Sequence, residues 1–222
     1  QGAPAYVDLV ATADNTAITI ISPIAIPEAS PFGPIAANTP KLINMNRGNI
    51  LHLMSPNTIN ADISGMDITS DKPIAVFAGV VCANVPNATN YCDHVEQQLF
   101  PVSTWGTEYF AAKSRSRGAE PDVWRIIASQ DGTQVTLSND PTPVSLNKGQ
   151  VRQISSADDF KITANHPILV GQFLTGSNYP GIPQSCGFPC RTSNDCGGSG
   201  TCTEGECKYA CSSVSACNAI SS

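Results

Sequence analysis

The chain repeats itself, and a repeat limits its fold more than any other feature. Ala11–Ile20 reads ATADNTAITI, and Ala128–Leu137 reads ASQDGTQVTL. In both, a turn pair (Asp14-Asn15, Asp131-Gly132) precedes apolar residues at alternate positions. Asp-Gly between apolar runs is a strong hairpin signal, because both residues accept a positive φ. Met45–Leu53 (MNRGNILHL) matches Leu146–Ile154 (LNKGQVRQI), with Gly48 and Gly149 as turn residues. Asp67–Val76 (DITSDKPIAV) matches Lys161–Val170 (KITANHPILV), with Pro73 or Pro167 opening a strand. The three matches keep their order, at offsets of 117, 101 and 94 residues. The falling offsets place longer loops in the first copy. One is the stretch 22–40, with prolines at 23, 27, 31, 34 and 40. It reads as an irregular surface loop, partly polyproline II. The copies span about Ala5–Val81 and Tyr109–Leu174.

Each copy reads as all-β. Short runs rich in β-branched residues, bounded by turn signals, predict two β-sandwich-like units, with propeller-type blades as the alternative. The expected strands are Tyr6–Ala11, Ala17–Ile21, Leu42–Met45, Asn49–Met54, Met66–Thr69 and Pro73–Val81 in the first copy. In the second they are Asp122–Ser129, Gln134–Ser138, Val144–Leu146, Gln150–Ile154, Lys161–Thr163 and Ile168–Phe173. No window carries a sustained helical stripe; Asp93–Leu99 is the best short-helix candidate. The expected division is 1–92 for one β-unit, 93–183 for an aromatic linker and second β-unit, and 184–222 for a small disulfide-rich module.

Cysteine usage points to an oxidising compartment. Cys82 and Cys92 stand alone, and disulfide pairing between them is expected. Cys186, Cys190, Cys196, Cys202, Cys207, Cys211 and Cys217 crowd the last 37 residues. A segment that small builds too little apolar core, so disulfides are the expected staple. Paired C-x2-C knuckles and a nearby His, the signs of zinc, are missing from it. The count of nine leaves one thiol free, paired with another chain, or paired beyond residue 222, and truncation of a longer protein is the preferred account. Gln1 fits a mature start after signal removal. In a secreted protein of eukaryotic source, Asn87-Ala88-Thr89 would be a glycosylation sequon. A secreted or cell-surface protein is expected.

Charge excludes other classes. Lys and Arg number 12 against 18 Asp and Glu, a net charge of −6. Nucleic-acid binding needs a basic face, and a polybasic membrane anchor needs a basic cluster. The longest nearly apolar run, Pro73–Val85, is too short to span a bilayer. Lys113-Ser114-Arg115-Ser116-Arg117 holds three of the basic residues and reads as a solvated loop. Arg115 and Arg117 are its candidates for contact with an anionic partner.

No cofactor is expected, and little supports catalysis. His52 alternates with Leu51 and Leu53, so it faces solvent; His166 precedes Pro167 in a surface turn. His94, in Cys92-Asp93-His94 with Glu96 nearby, is the one candidate for a hydrolase or metal site. Adjacent residues do not normally converge on one ligand, so a structural hydrogen-bonding role is preferred. G-x-S-x-G, H-E-x-x-H and Walker motifs are missing. Gly197-Gly198-Ser199-Gly200 lies between cysteines rather than between a strand and a helix, so it is no phosphate cradle. Asp158-Asp159 and the Asp67/Asp71 pair lack calcium-loop spacing.

Between the copies, Cys92–Phe110 (CDHVEQQLFPVSTWGTEYF) gathers Phe100, Trp105, Tyr109 and Phe110. Core packing over the junction is the preferred reading; a ligand platform around Trp105 and Tyr109 is the alternative. With DVWRIIASQDGT at Asp122–Thr133 and ITANHPILV at Ile162–Val170, this segment resembles the IgGFc-binding protein N-terminal domain family over about Ala5–Gly176. That family is found in extracellular and mucus-associated animal proteins and in bacterial surface proteins. The resemblance implies non-enzymatic recognition or adhesion through surface loops, binding a protein or glycan. It names immunoglobulin Fc as the partner of one member and gives no residue-level motif. A structural repeat of a long surface protein, with self-association through an open strand edge, is the alternative. Pro189–Cys207 is similar to the EGF-like modules of bacterial surface proteins.

Overall fold

A computed structural model describes residues 4–58, 61–87, 89, 92–176, 179, 201–203 and 206–208. They belong to two compact units: Gln1–Ser114 with Pro121–Gly176, and Arg115–Glu120 with Ser177–Ser222.

Alternation of apolar residues dictates the strands of the first unit. They are β1 (Ala5–Ala11), β2 (Thr16–Ile21), β3 (Lys41–Met45), β4 (Ile50–Met54), β5 (Asp67–Ser70), β6 (Ile74–Ala83), β7 (Asp93–Gln98), β8 (Gly106–Ala111), β9 (Asp122–Ala128), β10 (Thr133–Leu137), β11 (Asp140–Leu146), β12 (Val151–Ser156) and β13 (Phe160–Phe173). On β1, Val7, Leu9 and Ala11 are buried and the residues between them are not. Burying each such aliphatic side chain contributes about 1.5–3 kcal/mol.

The first repeat is a sandwich. A sheet ordered β4-β1-β6-β7 faces a sheet ordered β3-β2-β5. One core, with Leu9, Leu51 and Leu53 from the first sheet and Ile18, Ile20 and Ile43 from the second, lies between them. The 22–40 stretch is more than a surface loop. It is irregular, but Ile26 bridges Ile35, and both are buried in that core with Ala29.

The second repeat copies the same ladders. Leu9 pairs with Val76 and Leu51, while Ile126 pairs with Val170 and Arg152. Ile20 pairs with Ile68, and Leu137 with Ile162. Ile18 pairs with Ile43, and Val135 with Val144. The separations are the 117, 101 and 94 of the sequence matches. Here β13 runs unbroken through both halves, joining β10 and β11 on one side to β9 and β12 on the other. One bent sheet results, over a core that includes Ile126, Val135, Ile162 and Ile168.

The linker corrects the sequence reading. Asp93–Gln98 is strand β7, not a helix, and pairs with β6 through Val80 and Val95. The Cys82–Cys92 disulfide closes the loop before it. A short 3-10 turn at Val102–Thr104 leads into β8, which pairs with β13 through Tyr109 and Ile162. The linker therefore adds one edge strand to each repeat.

The basic run is also corrected. Lys113 is not solvated: its Nζ lies 3.0 Å from Asp122 Oδ1, with both side chains buried. Ser114 N–H and Gln172 Nε2 donate to the other Asp122 oxygen at 2.8 and 2.6 Å.

In the second unit, β14 (Thr201–Thr203) and β15 (Glu206–Lys208) pair antiparallel with Cys202 opposite Cys207. The remaining tail cysteines and the EGF-like pattern lie outside the described residues. Among the described residues, no helix is long and apolar enough to cross a membrane.

Candidate binding surface

The first repeat turns an unusual face to solvent. Because β4 sends Leu51 and Leu53 into the core, Ile50, His52 and Met54 point the other way. On β1 the outward set is Tyr6, Asp8 and Val10. On β6, Val76 and Ala78 pack on the core, so Phe77, Gly79 and Val81 face outward. Glu96 of β7 sits opposite Gly79. Ile50, Met54 and Val81 are 67%, 46% and 64% exposed. The wet face of an antiparallel sheet is ordinarily polar. Large apolar groups gathered on one wet face mark an interaction surface.

The middle of this face is aromatic and acidic. The Tyr6 ring lies on Gly79, where a Cβ would stand 2.6 Å from both Tyr6 Oη and the Val95 carbonyl. Only glycine leaves room for the ring there. His52 Nδ1 lies 2.6 Å from Asp8 Oδ1, and His94 Nε2 lies 3.2 Å from Glu96 Oε2. The Tyr6 ring centroid is 5.7 Å from that of His52 and 6.5 Å from that of His94. Burial, then the Glu96 carboxylate, push the Tyr6 phenol above its ordinary value. The surface offers flat aromatic and aliphatic area with two imidazole–carboxylate pairs. That chemistry suits a protein surface, since small-molecule sites are concave.

The residues singled out from sequence are distributed elsewhere. Tyr109 is half-buried against the second core; its hydroxyl accepts from Gly106 N–H at 2.9 Å and donates to the Ile168 carbonyl at 2.7 Å. Trp105 is half-buried and donates from Nε1 to the Phe100 carbonyl at 3.1 Å. Phe100, Val102 and Phe110 of the same segment are exposed, and Lys161 Nζ lies 5.6 Å from the Phe110 ring centroid. Arg115 and Arg117 are exposed and belong to the second unit, where Arg117 N–H donates to Glu120 Oε1 at 2.8 Å. Asn87 is exposed, and Thr89 of its sequon is buried. His52 faces solvent as expected; His94 is exposed on an open sheet face beside Glu96.

Sequence reasoning missed Tyr6, Asp8, Ile50, Met54 and Val81. The signal was present: NILHLM is apolar at both parities, so a half-buried β4 has to expose Ile50 and Met54.

Residues 1–195 match the family described as IgGFc binding protein. The IgGFc-binding protein of Homo sapiens is 34% identical over 122 residues, 53% of this chain and 2% of that protein. This chain therefore spans a small fraction of that relative's length. No solved structure matches.

Proposed function

The chain belongs to the IgGFc binding protein family, and from that premise we propose that it is a non-enzymatic recognition module of an extracellular protein. The single observation that carries the reading is the outer face of the first sheet, where Ile50, Met54 and Val81 are exposed on the side that also presents Tyr6. Interfaces combine aromatic and aliphatic area with a polar rim, and this face joins exposed aliphatic groups to Tyr6 and two imidazole–carboxylate pairs. The partner is a protein, and immunoglobulin Fc, named for the human relative, is the first to test. His94 belongs to this surface rather than to a hydrolytic site. The boundaries 1–92, 93–183 and 184–222 are proposed as its modules, with Asn87 as a glycosylation site.

Immobilised immunoglobulin Fc, with an unrelated secreted glycoprotein as control, tests this directly. Saturable binding to Fc alone is expected. The double variant Ile50→Glu, Val81→Glu should weaken it about tenfold or more while the melting temperature holds. Binding untouched by that variant would move the site elsewhere, with Phe100, Phe110, Arg115 and Arg117 next. No binding by a cooperatively melting chain would remove Fc as partner and leave the family's architecture alone.

The alternative reading, a structural repeat, is favoured by the contact between the two repeats. Arg125 Nη2 lies 2.6 Å from Asp62 Oδ2, and Lys148 Nζ lies 2.6 Å from Asp67 Oδ2.

A further inference from the structure

Comparing that contact with its counterpart on the first repeat identifies the kind of loop the candidate surface accepts. On the second repeat the acceptor consists of Arg125, outward on β9, and the Lys148-Gly149 turn. The donor loop of the first repeat brings Asp62 to Arg125, Gly65 to Gly149 and Asp67 to Lys148. A Cβ on Gly65 would collide with the Gly149 carbonyl oxygen, so glycine is required there.

The first repeat carries the same acceptor geometry. Asp8 occupies the place of Arg125: Asp8 pairs with His52 and Phe77, and Arg125 with Gln153 and Gly171. The turns match bond for bond. Asn46 and Arg47 N–H donate to Asn49 Oδ1 and Asp14 Oδ1; Asn147 and Lys148 N–H donate to Gln150 Oε1 and Asp131 Oδ1. Gly48 has open space where Gly149 meets Gly65. The acceptor thus keeps its cation (Arg47) and its glycine, but its sheet charge is reversed from Arg to Asp.

We propose that this end of the surface docks a partner-protein loop of the pattern cation-x-x-Gly-x-acid, the cation for Asp8, the glycine for Gly48 and the acid for Arg47. This rests on the reading of the outer face as a recognition surface. A second copy of the chain is the wrong occupant. Its corresponding donor loop has the same turn, since Asp158 N–H bonds Ser156 Oγ as Ser64 N–H bonds Asp62 Oδ1. Yet it presents Ser156, Asp159 and Lys161 where a cation, a glycine and an acid are required. Asp159 adds the Cβ that the contact forbids, and Lys161 would face Arg47. The same mismatches disfavour head-to-tail stacking between copies of this chain.

A synthetic peptide of residues 61–70 carrying Asp62→Lys is the probe, with the unsubstituted peptide as control. Titrated into isotope-labelled full chain, the Asp62→Lys peptide should shift Asp8, Arg47 and Gly48 amides. It should bind about tenfold more tightly than the control. Asp8→Lys on the chain should invert that preference. In parallel, the triple variant Ser156→Lys, Asp159→Gly, Lys161→Asp should self-associate in sedimentation velocity where the native chain does not, and adding Asp8→Lys should reverse this. Equal binding of the two peptides, association indifferent to Asp8→Lys, or no binding and no association would each overturn the proposal. Loss of Fc binding in the Ile50→Glu, Val81→Glu variant alongside such a result would leave the recognition reading standing and this loop chemistry refuted.

Discussion

The two repeats share most of their ladder registers and differ in what their outer sheet faces touch. On the second repeat, Val123 is buried and Arg125 holds Asp62 of its neighbour. On the first, Tyr6 and Asp8 occupy those places, and Ile50, Met54 and Val81 stand in solvent. One backbone plan therefore serves assembly in one copy and presents an uncovered surface in the other. Most inward positions are apolar in both repeats, as Leu9 and Ile126, Ile18 and Val135, Ile20 and Leu137 are, while the outward residues diverge.

The largest expected effect separates the repeats by chemistry. Asp122 anchors a buried ion pair in the second repeat, where the first has Ala5. Asp122→Asn should cost about 3–5 kcal/mol in denaturant unfolding, because it removes the buried carboxylate charge that faces Lys113 and accepts from Ser114 and Gln172. Burial pushes the Asp122 carboxyl up, but Ser114, Gln172 and Lys113 outweigh it and hold the group below its ordinary range. Burial likewise raises Asp62, and Ser64 and Arg125 more than offset it. A depressed folded value means stability that is complete above the unfolded value of about 3.9 and lost as pH falls below it. Acid titration of the melt should show a plateau above pH ~5 and a decline below pH ~4. Asp122→Asn should flatten that decline.

The next effect tests whether the repeats fold together. Leu9 and Ile126 are equivalent and both fully buried. Leu9→Ala and Ile126→Ala should each cost about 3 kcal/mol. A shared, single transition in both variants would show one cooperative unit; two separating transitions would show independent repeats. Cys82→Ser with Cys92→Ser opens a loop with a sequence separation of 10 and should cost about 2.5 kcal/mol. The first repeat should bear that loss, since β7 pairs only with β6 among the described residues.

Smaller effects sharpen the junction itself. Gly65 and Gly132 both have positive φ, but only Gly65 is crowded. Gly65→Ala should cost about 2–3 kcal/mol and Gly132→Ala about 1 kcal/mol, so the difference measures the contact between repeats. His94→Ala, on the open face, should stay within about 0.5 kcal/mol by thermal melt.

The duplication, the all-β class and most strands were legible because alternation and turn residues act locally. The offsets measured between short motifs reappear as ladder registers, since each motif contains an inward pair. The linker was misread for the same reason. DHVEQQ has no strong strand alternation, and it becomes β7 only because the β6 edge supplies its backbone partners. Lys113 looked solvated because its partner, Asp122, is nine residues away across a turn that the sequence does not reveal. The 22–40 loop looked superficial because its prolines hid Ile26 and Ile35.

The sequence by itself determined the repeat, its inward residues, the pairing of Cys82 with Cys92 and the family. These depend on local periodicity, on spacing and on a contiguous motif. Only the tertiary structure decided which copy keeps its outer face open. The outer faces differ in their contacts: Ile50, Met54 and Val81 of the first repeat stand in solvent, whereas the second repeat is met by the donor loop from Asp62 to Asp67. There arginine and lysine meet the loop's carboxylates, and the aspartate at the equivalent place on the first repeat offers it no such partner.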